Sequence, residues 1–241
     1  MGQRYSDKVK SMAMVDAAKE QVAERAAGYV ETGMTVGLGS GSTAVCFIRR
    51  LGERVRQGLV VRGVASSVSS ETLARSLGIA ICDFWECAGV DLAVDGADEI
   101  APGLALIKGG GGNLLREKIV ISAAERFIVM VDSRKLVHRL GAAVLPVETI
   151  PMAAPLVERR LAGLGLTATI RQAKDGGDFL TDEGNLLLDC VSGGIADPAA
   201  IARELRQIVG LVEHGLFLGM ADLAIVSDGV RVWEYTRESE F

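Results

Sequence analysis

The chain has 241 residues, 49% hydrophobic and 24% charged, which is enough apolar material for a substantial core and excludes a disordered chain. Its formal net charge of −5, with no dense Lys/Arg cluster, argues against a broad nucleic-acid surface. No run reaches the ~20 apolar residues of a membrane span, and the N-terminus lacks the apolar core of a signal peptide.

In chain order, residues 7–31 carry Val9, Met12, Val15, Ala18, Val22, Ala26 and Val30 at helical spacing, with Ser6 as the expected cap and Gly33 as the stop. A strand at 34–38 leads into a glycine-serine loop. A helix follows, with Ala44, Phe47, Ile48, Leu51 and Val55 on one face. Strands are expected at 59–65, 79–84, 92–95 and 127–131, and helices at 69–77 and 112–125. Strands alternating with helices predict a parallel sheet covered on both faces.

After about residue 145 the rhythm changes to strand (145–149), helix (152–163), strand (166–171), strand (185–190), helix (198–207) and strand (210–217). That βαββαβ order is the ferredoxin-like unit. A last strand pair, 223–227 and 230–235, is separated by Asp228-Gly229, a two-residue hairpin signal. The expected class is therefore α/β, a Rossmann-like parallel sheet domain with a smaller ferredoxin-like α+β domain.

Chemistry concentrates in three places. Gly39-Ser40-Gly41-Ser42-Thr43 joins a strand to a helix, but Ser42 stands where a dinucleotide fingerprint needs its third glycine, and no Gly-Lys-Ser/Thr follows. What survives is a turn with amides, hydroxyls and a helix N-terminus, the components of a compact anion site. An ordinary glycine turn with a capping hydroxyl is the alternative. Asp95-Gly96-Ala97-Asp98-Glu99 follows a short apolar strand. Three acids within five residues repel one another unless a cation or polyol offsets them. Lys108 precedes Gly109-Gly110-Gly111-Gly112, and Glu117 lies on the first or second turn of the next helix. Arg116 and Lys118 flank it and are expected to form surface ion pairs. Cys46, Cys82, Cys87 and Cys190 form no C-x-x-C pair, and with only His138 and His214 beside them no metal-ligand spacing arises. They are expected to be mostly buried thiols in a reducing, cytoplasmic compartment.

Taken together, the DGADE and KGGGGNLLREK segments closely resemble type A ribose-5-phosphate isomerase. The resemblance extends to Gly39–Thr43, Val131-Asp132-Ser133-Arg134-Lys135, Leu145–Pro151 and Thr181–Asn185. It implies that residues 218–241 return to complete a catalytic domain of 1–144, leaving 145–217 as an insertion. It implies interconversion of D-ribose 5-phosphate and D-ribulose 5-phosphate through an enediolate, with no metal or other cofactor, in a homo-oligomer (a dimer, or a tetramer). Glu117 would be the base, Lys108 would stabilise the oxyanion, Asp95 would assist ring opening and Asp98 would hold hydroxyls. Lys19, Ser40, Gly41, Ser42 and Thr43 would anchor the phosphate. Gly96, Ala97, Gly109, Gly110, Gly111 and Lys135 would complete the substrate site. The rival readings are an amino-sugar phosphate deaminase on a similar fold and a non-enzymatic sugar-phosphate sensor.

Overall fold

The computed structural model describes residues 2–239, with side chains over 12–239. Helix α1 (Gly2–Ala27) begins ahead of Ser6 and ends short of Gly33. Among the described side chains, its apolar stripe reaches the core from Ala18 onward. Ala18, Val22 and Ala26 are buried, whereas Met12 is 61% exposed and Val9 lies outside the described side chains. Gly33 turns the chain beyond the helix, at φ +97, and its amide donates to Val60 O at 2.8 Å.

Strand β1 (Thr35–Leu38) is buried throughout, as a central strand must be. Helix α2 (Gly41–Arg56) buries Ala44, Phe47, Ile48 and Leu51 at the expected spacing. Strand β2 (Arg62–Ala65) leads to α3 (Val68–Ser76), whose first turn is capped by the Ser67 hydroxyl accepting from Ser70 N at 3.1 Å. Strand β3 keeps only Ala80–Ile81 of the expected 79–84.

Strand β4 (Val90–Gly96) ends on the acidic segment. A hairpin of β5 (Glu99–Ala101) and β6 (Ala105–Ile107) follows, turning through Pro102-Gly103-Leu104. Sequence periodicity could not reveal strands of three residues each. Helix α4 (Leu114–Ser122) is shorter than the predicted 112–125, and β7 (Ala124–Asp132) begins almost at once.

Strand β8 (Leu145–Thr149), helix α5 (Ala154–Gly163), strands β9 (Thr167–Ile170) and β10 (Leu186–Val191) and helix α6 (Pro198–Arg206) follow the predicted βαββα order. The expected 210–217 strand is two strands, β11 (Leu211–His214) and β12 (Leu216–Phe217), broken at Gly215. Strands β13 (Leu223–Ser227) and β14 (Val232–Tyr235) form the final hairpin.

Among the described residues, three sheets result. The seven-stranded sheet runs β14-β13-β7-β4-β1-β2-β3, parallel except for β14. With the excursions removed, this is the doubly wound Rossmann-like order, reversing direction between β1 and β4. The four-stranded sheet, β11-β8-β10-β9, is antiparallel, as the ferredoxin-like order requires. The third sheet, β12-β6-β5, lies between them in the chain's path and pairs Leu216 with Ile107 and Phe217 with Leu106.

Helices α1 and α2 cover one face of the large sheet through Val22, Ala26, Phe47, Ile48 and Leu51, packed on Val36, Leu38, Val94 and Ile128. The opposite face is covered by Ile100, Leu104, Leu106, Val120 and Phe217, so the small third sheet serves as its lid. Phe47 is fully buried in the first of these layers. Replacing it by Ala should cost about 3–5 kcal/mol through lost burial and the remaining cavity. Urea unfolding measures this, and a loss under about 1 kcal/mol would place Phe47 outside the packed core.

Candidate active site

Strands β1 and β4 are adjacent and parallel, with Leu38 opposite Val94, and the sheet changes direction between them. Their carboxyl ends therefore open the crevice where α/β sheets bind ligands. Gly39–Thr43 emerges from one strand and Asp95–Glu99 from the other.

Asp95 is 1% exposed and fully engaged. Its Oδ1 accepts from Ser40 N at 3.0 Å and from Gly96 N at 2.7 Å. Its Oδ2 accepts from Lys108 Nζ at 2.8 Å, and that ammonium also donates to Gly96 O at 2.6 Å. Gly39 makes this closeness possible, because a Cβ there would stand 2.2 Å from the Asp95 carboxylate.

Glu117, on the first turn of α4, brings Oε2 within 3.1 Å of Lys108 Nζ. The contact is an ion pair and not an aligned hydrogen bond, so this buried oxygen keeps lone-pair capacity. Burial pushes Glu117 up to about 7; Lys108 opposes the shift and Asp95 adds to it. Burial alone would lower the Lys108 pKa, but Asp95 and Glu117 outweigh it and hold it above the ordinary lysine value. The result is a permanently cationic lysine beside a carboxylate that exchanges its proton near neutrality.

The acidic segment resolves its own repulsion through backbone amides as well as the lysine. Asp98 Oδ2 accepts from Gly110 N at 2.8 Å, and a Cβ on Gly110 would meet that carboxylate at 2.7 Å. Glu99 turns away from the crevice and accepts from the amides of Gly141, at 2.7 Å, and Ala143. The glycine loop is also held from the smaller sheet. Arg171 Nη1 donates to Gly109 O at 3.2 Å and Gly110 O at 3.1 Å, while its guanidinium pairs with Asp189.

On the other side of the crevice, Ser40 precedes α2 without a side-chain capping bond. Its hydroxyl pairs instead with Ser66 Oγ at 2.8 Å. The α2 first-turn amides have no intrahelical acceptor by construction, and they face the crevice with the helix dipole behind them.

These groups converge on a cavity of about 390 Å³. It is lined by Lys19, Ser40, Gly41, Ser42, Thr43, Gly96, Ala97, Asp98, Lys108, Gly109, Gly110, Gly111, Glu117 and Lys135, all singled out from sequence. Asp95 is the exception: it stands behind the lining, gripping the groups that form it. Sequence reasoning missed Val15, Asp132 and Arg134 on the wall. Asp132 accepts from the Arg134 side chain at 2.7 Å, which outweighs the upward effect of burial and lowers the carboxyl pKa. Their place in a segment already carrying Lys135 was the available clue.

Lys118 corrects an expectation. It is 7% exposed, with its ammonium turned inward to Glu213 at 2.9 Å and to two backbone carbonyls. Arg116 does pair near the surface, with Asp182 at 3.4 Å and Glu183 at 3.5 Å. Among the described residues, no group of three or more His, Cys, Asp or Glu side chains could hold a metal ion. His214 is buried in the Lys118 cluster, away from the cavity lining.

Comparison with known proteins identifies the family. The family model described as Ribose 5-phosphate isomerase A (phosphoriboisomerase A) matches residues 62–230. A protein named Ribose-5-phosphate isomerase A from Roseiflexus castenholzii is 50% identical over 217 residues, covering 88% of this chain and 93% of its own length. One of the same name from Natronomonas pharaonis is 48% identical, covering 93% of this chain and all of its own. The structure of ribose 5-phosphate isomerase A from Methanocaldococcus jannaschii superposes with a TM-score of 0.88 at 40% identity, over 92% of this chain and 99% of that one. A structure of D-ribose-5-phosphate isomerase in complex with phospho-erythronic acid gives 0.89 at 38% identity, over the same shares. The chain belongs to the ribose 5-phosphate isomerase A family.

Proposed function

We propose that the chain interconverts D-ribose 5-phosphate and D-ribulose 5-phosphate, with Glu117 moving the proton between C2 and C1. The observation that carries this reading is the buried Glu117–Lys108 contact of 3.1 Å on the cavity wall. An aldose–ketose exchange through an enediolate needs a base near neutrality, and Glu117 sits at about 7. It also needs fixed positive charge where the oxyanion develops, and Lys108 supplies an ammonium that stays protonated. Glu117 takes the C2 proton of the open-chain aldehyde while Lys108 stabilises the C1 oxygen as it gains charge; the C2 hydroxyl proton then passes to the C1 oxygen, and Glu117 returns its proton to C1 as the ketone forms at C2.

Asp98 lines the cavity and holds the sugar hydroxyls in register, with Gly96, Ala97 and Gly109–Gly111 presenting backbone to the substrate. Asp95 has both oxygens committed to Lys108 and to the Ser40 and Gly96 amides, so its part in ring opening runs through those groups. The phosphate docks on Gly41, Ser42 and Thr43 at the α2 N-terminus, with Ser40 shaping the loop and Lys19 and Lys135 supplying charge. Its binding energy orients the reacting carbons.

Residues 1–144 with 218–241 form the catalytic unit and 145–217 an inserted unit. The return of β13 and β14 to the large sheet supports this division. The four cysteines as free thiols favour a reducing, cytoplasmic setting, and the proposed reaction belongs to the pentose phosphate pathway. The family resemblance implies a homo-oligomer, of which a dimer is the simplest closed form.

Glu117→Gln should fold normally and lose roughly 10²–10⁴-fold in turnover, the range for a positioned general base. The pH profile should show the same group. Because the Glu117 pKa is raised above the ordinary carboxylate value, the base form disappears as pH falls through about 7. Wild-type kcat/KM should therefore drop about tenfold per pH unit below that point. A folded variant with near-normal turnover would overturn the assignment.

Ser42→Asp places a negative charge where the phosphate dianion docks and should raise KM for ribose 5-phosphate strongly. Ser42→Ala should weaken binding less, by about 1.5–3 kcal/mol for one bond to a charged group. Both should narrow the preference for ribose 5-phosphate over unphosphorylated ribose. A drop in thermal stability with that preference intact would make Ser42 a helix residue and place the phosphate elsewhere.

A further inference from the structure

Behind the reacting pair lies a second buried charge that the proposed chemistry does not use. Lys118 follows Glu117 on α4, and its ammonium is turned away from the cavity. It donates to His214 O at 2.6 Å, to Leu216 O at 3.0 Å and to Glu213 Oε1 at 2.9 Å. Those acceptors bracket Gly215, where β11 of the four-stranded sheet gives way to β12 of the three-stranded one.

The same short segment touches Lys108 from behind. Gly215 O accepts from Lys108 N at 2.9 Å, and Gly215 packs so closely that a Cβ would stand 2.4 Å from Lys108 O. Phe217 places its ring 5.4 Å from the Lys108 ammonium and 4.5 Å from that of Lys118. Both distances lie within cation–π range. One side chain thus ties the helix bearing Glu117 to the segment against which Lys108 is seated.

We propose that Lys118 is a positioning residue for the isomerisation: by clamping 213–217 onto α4 it fixes the separation and alignment of Glu117 and Lys108. The inference rests on the roles given above to those two residues. A purely structural anchor would affect stability alone. A clamp on the reacting pair affects turnover more than substrate affinity, because phosphate binding lies on the opposite side of the crevice.

The clamp is also titratable. Burial lowers the Lys118 pKa to about 8, Glu213 opposes that shift and Arg206 of α6 adds to it. The remaining charged or titratable groups around it are Glu117 on its own helix, His214 on β11, and Lys108 across the Phe217 ring. His214 is itself held down at about 4 by burial and by Lys118, so it stays neutral across the working range. As pH rises through about 8, Lys118 loses its proton and the ionic part of the clamp with it.

The test compares the full chain with Lys118→Met, Glu213→Gln and Glu117→Gln in one coupled assay across pH. Folding is followed by circular dichroism. Lys118→Met should lower kcat by roughly 10–100-fold, as small misplacements of reacting groups do. Its KM for ribose 5-phosphate should stay within about threefold, the pattern of an interaction realised in the transition state. Glu213→Gln removes the carboxylate that keeps the proton on Lys118, so the alkaline limb of kcat should move to lower pH.

Wild-type kcat in Lys118→Met, together with inactive Glu117→Gln, would overturn this inference alone. Full turnover in Glu117→Gln would overturn the base assignment and this inference with it. Where Lys118→Met fails to fold, an alkaline limb that stays in place in Glu213→Gln overturns the proposal.

Discussion

The site depends on one buried ion pair, the Lys108 ammonium on the Asp95 carboxylate. Each is about as exposed as an ordinary core side chain, at 3% and 1%. Removing an ion from water costs several kcal/mol even after relaxation, and it is tolerated only when partners complete its coordination. Asp95 supplies that completion in three directions at once. It takes the Lys108 ammonium, the Gly96 amide from its own strand and the Ser40 amide from the loop after the neighbouring strand. The Gly39–Thr43 loop and Lys108 are thereby referenced to one carboxylate. Gly39 is the steric condition for the arrangement, since no side chain fits between its backbone and Asp95.

From that point the electrostatics follow. A lysine held cationic lets a second carboxylate share its surroundings, yet burial and Asp95 keep Glu117 from becoming a strong acid. The two carboxylates around Lys108 divide their work by environment. In the proposed mechanism the one saturated with hydrogen bonds serves as a positioner, and the one with an unaligned oxygen on the cavity wall serves as the base. Residues 145–217 contribute from a distance. Arg171 fastens the carbonyls of Gly109 and Gly110, and β11 and β12 deliver the segment that seats Lys108. This explains how a ferredoxin-like unit without a cavity-lining residue bears on the chemistry.

Much of this was legible in the sequence because it is local. Residues such as Phe47, Ile48 and Leu51 repeat at helical spacing on α2, and the alternation of strands with helices specified a parallel sheet. The acids, the lysine before the glycines and the serine-rich turn marked the site, since few other uses bring those groups together. What stayed hidden is non-local. The β5–β6 hairpin has no room for periodicity, and its partner β12 lies more than a hundred residues downstream. The 210–217 apolar run was expected as one strand, although Gly215 splits it between two sheets. Lys118 looked like a surface lysine because nothing within its helix reveals that Glu213 and two carbonyls wait opposite. Asp95 was expected to assist ring opening, and only the fold shows that both its oxygens are engaged by Lys108 and by the Ser40 and Gly96 amides.

The central claim is that a buried carboxylate carries the hydrogen between C2 and C1 as a proton while Lys108 holds the oxyanion. Its most direct test is isomerisation in deuterium oxide, following C1 of ribulose 5-phosphate by proton NMR over repeated forward and reverse turnovers. A proton taken up by Glu117 exchanges with solvent during some of those turnovers, so deuterium should accumulate at C1. A hydrogen passed directly from C2 to C1 never reaches a carboxylate. Product whose C1 stays free of deuterium after many turnovers would contradict the account.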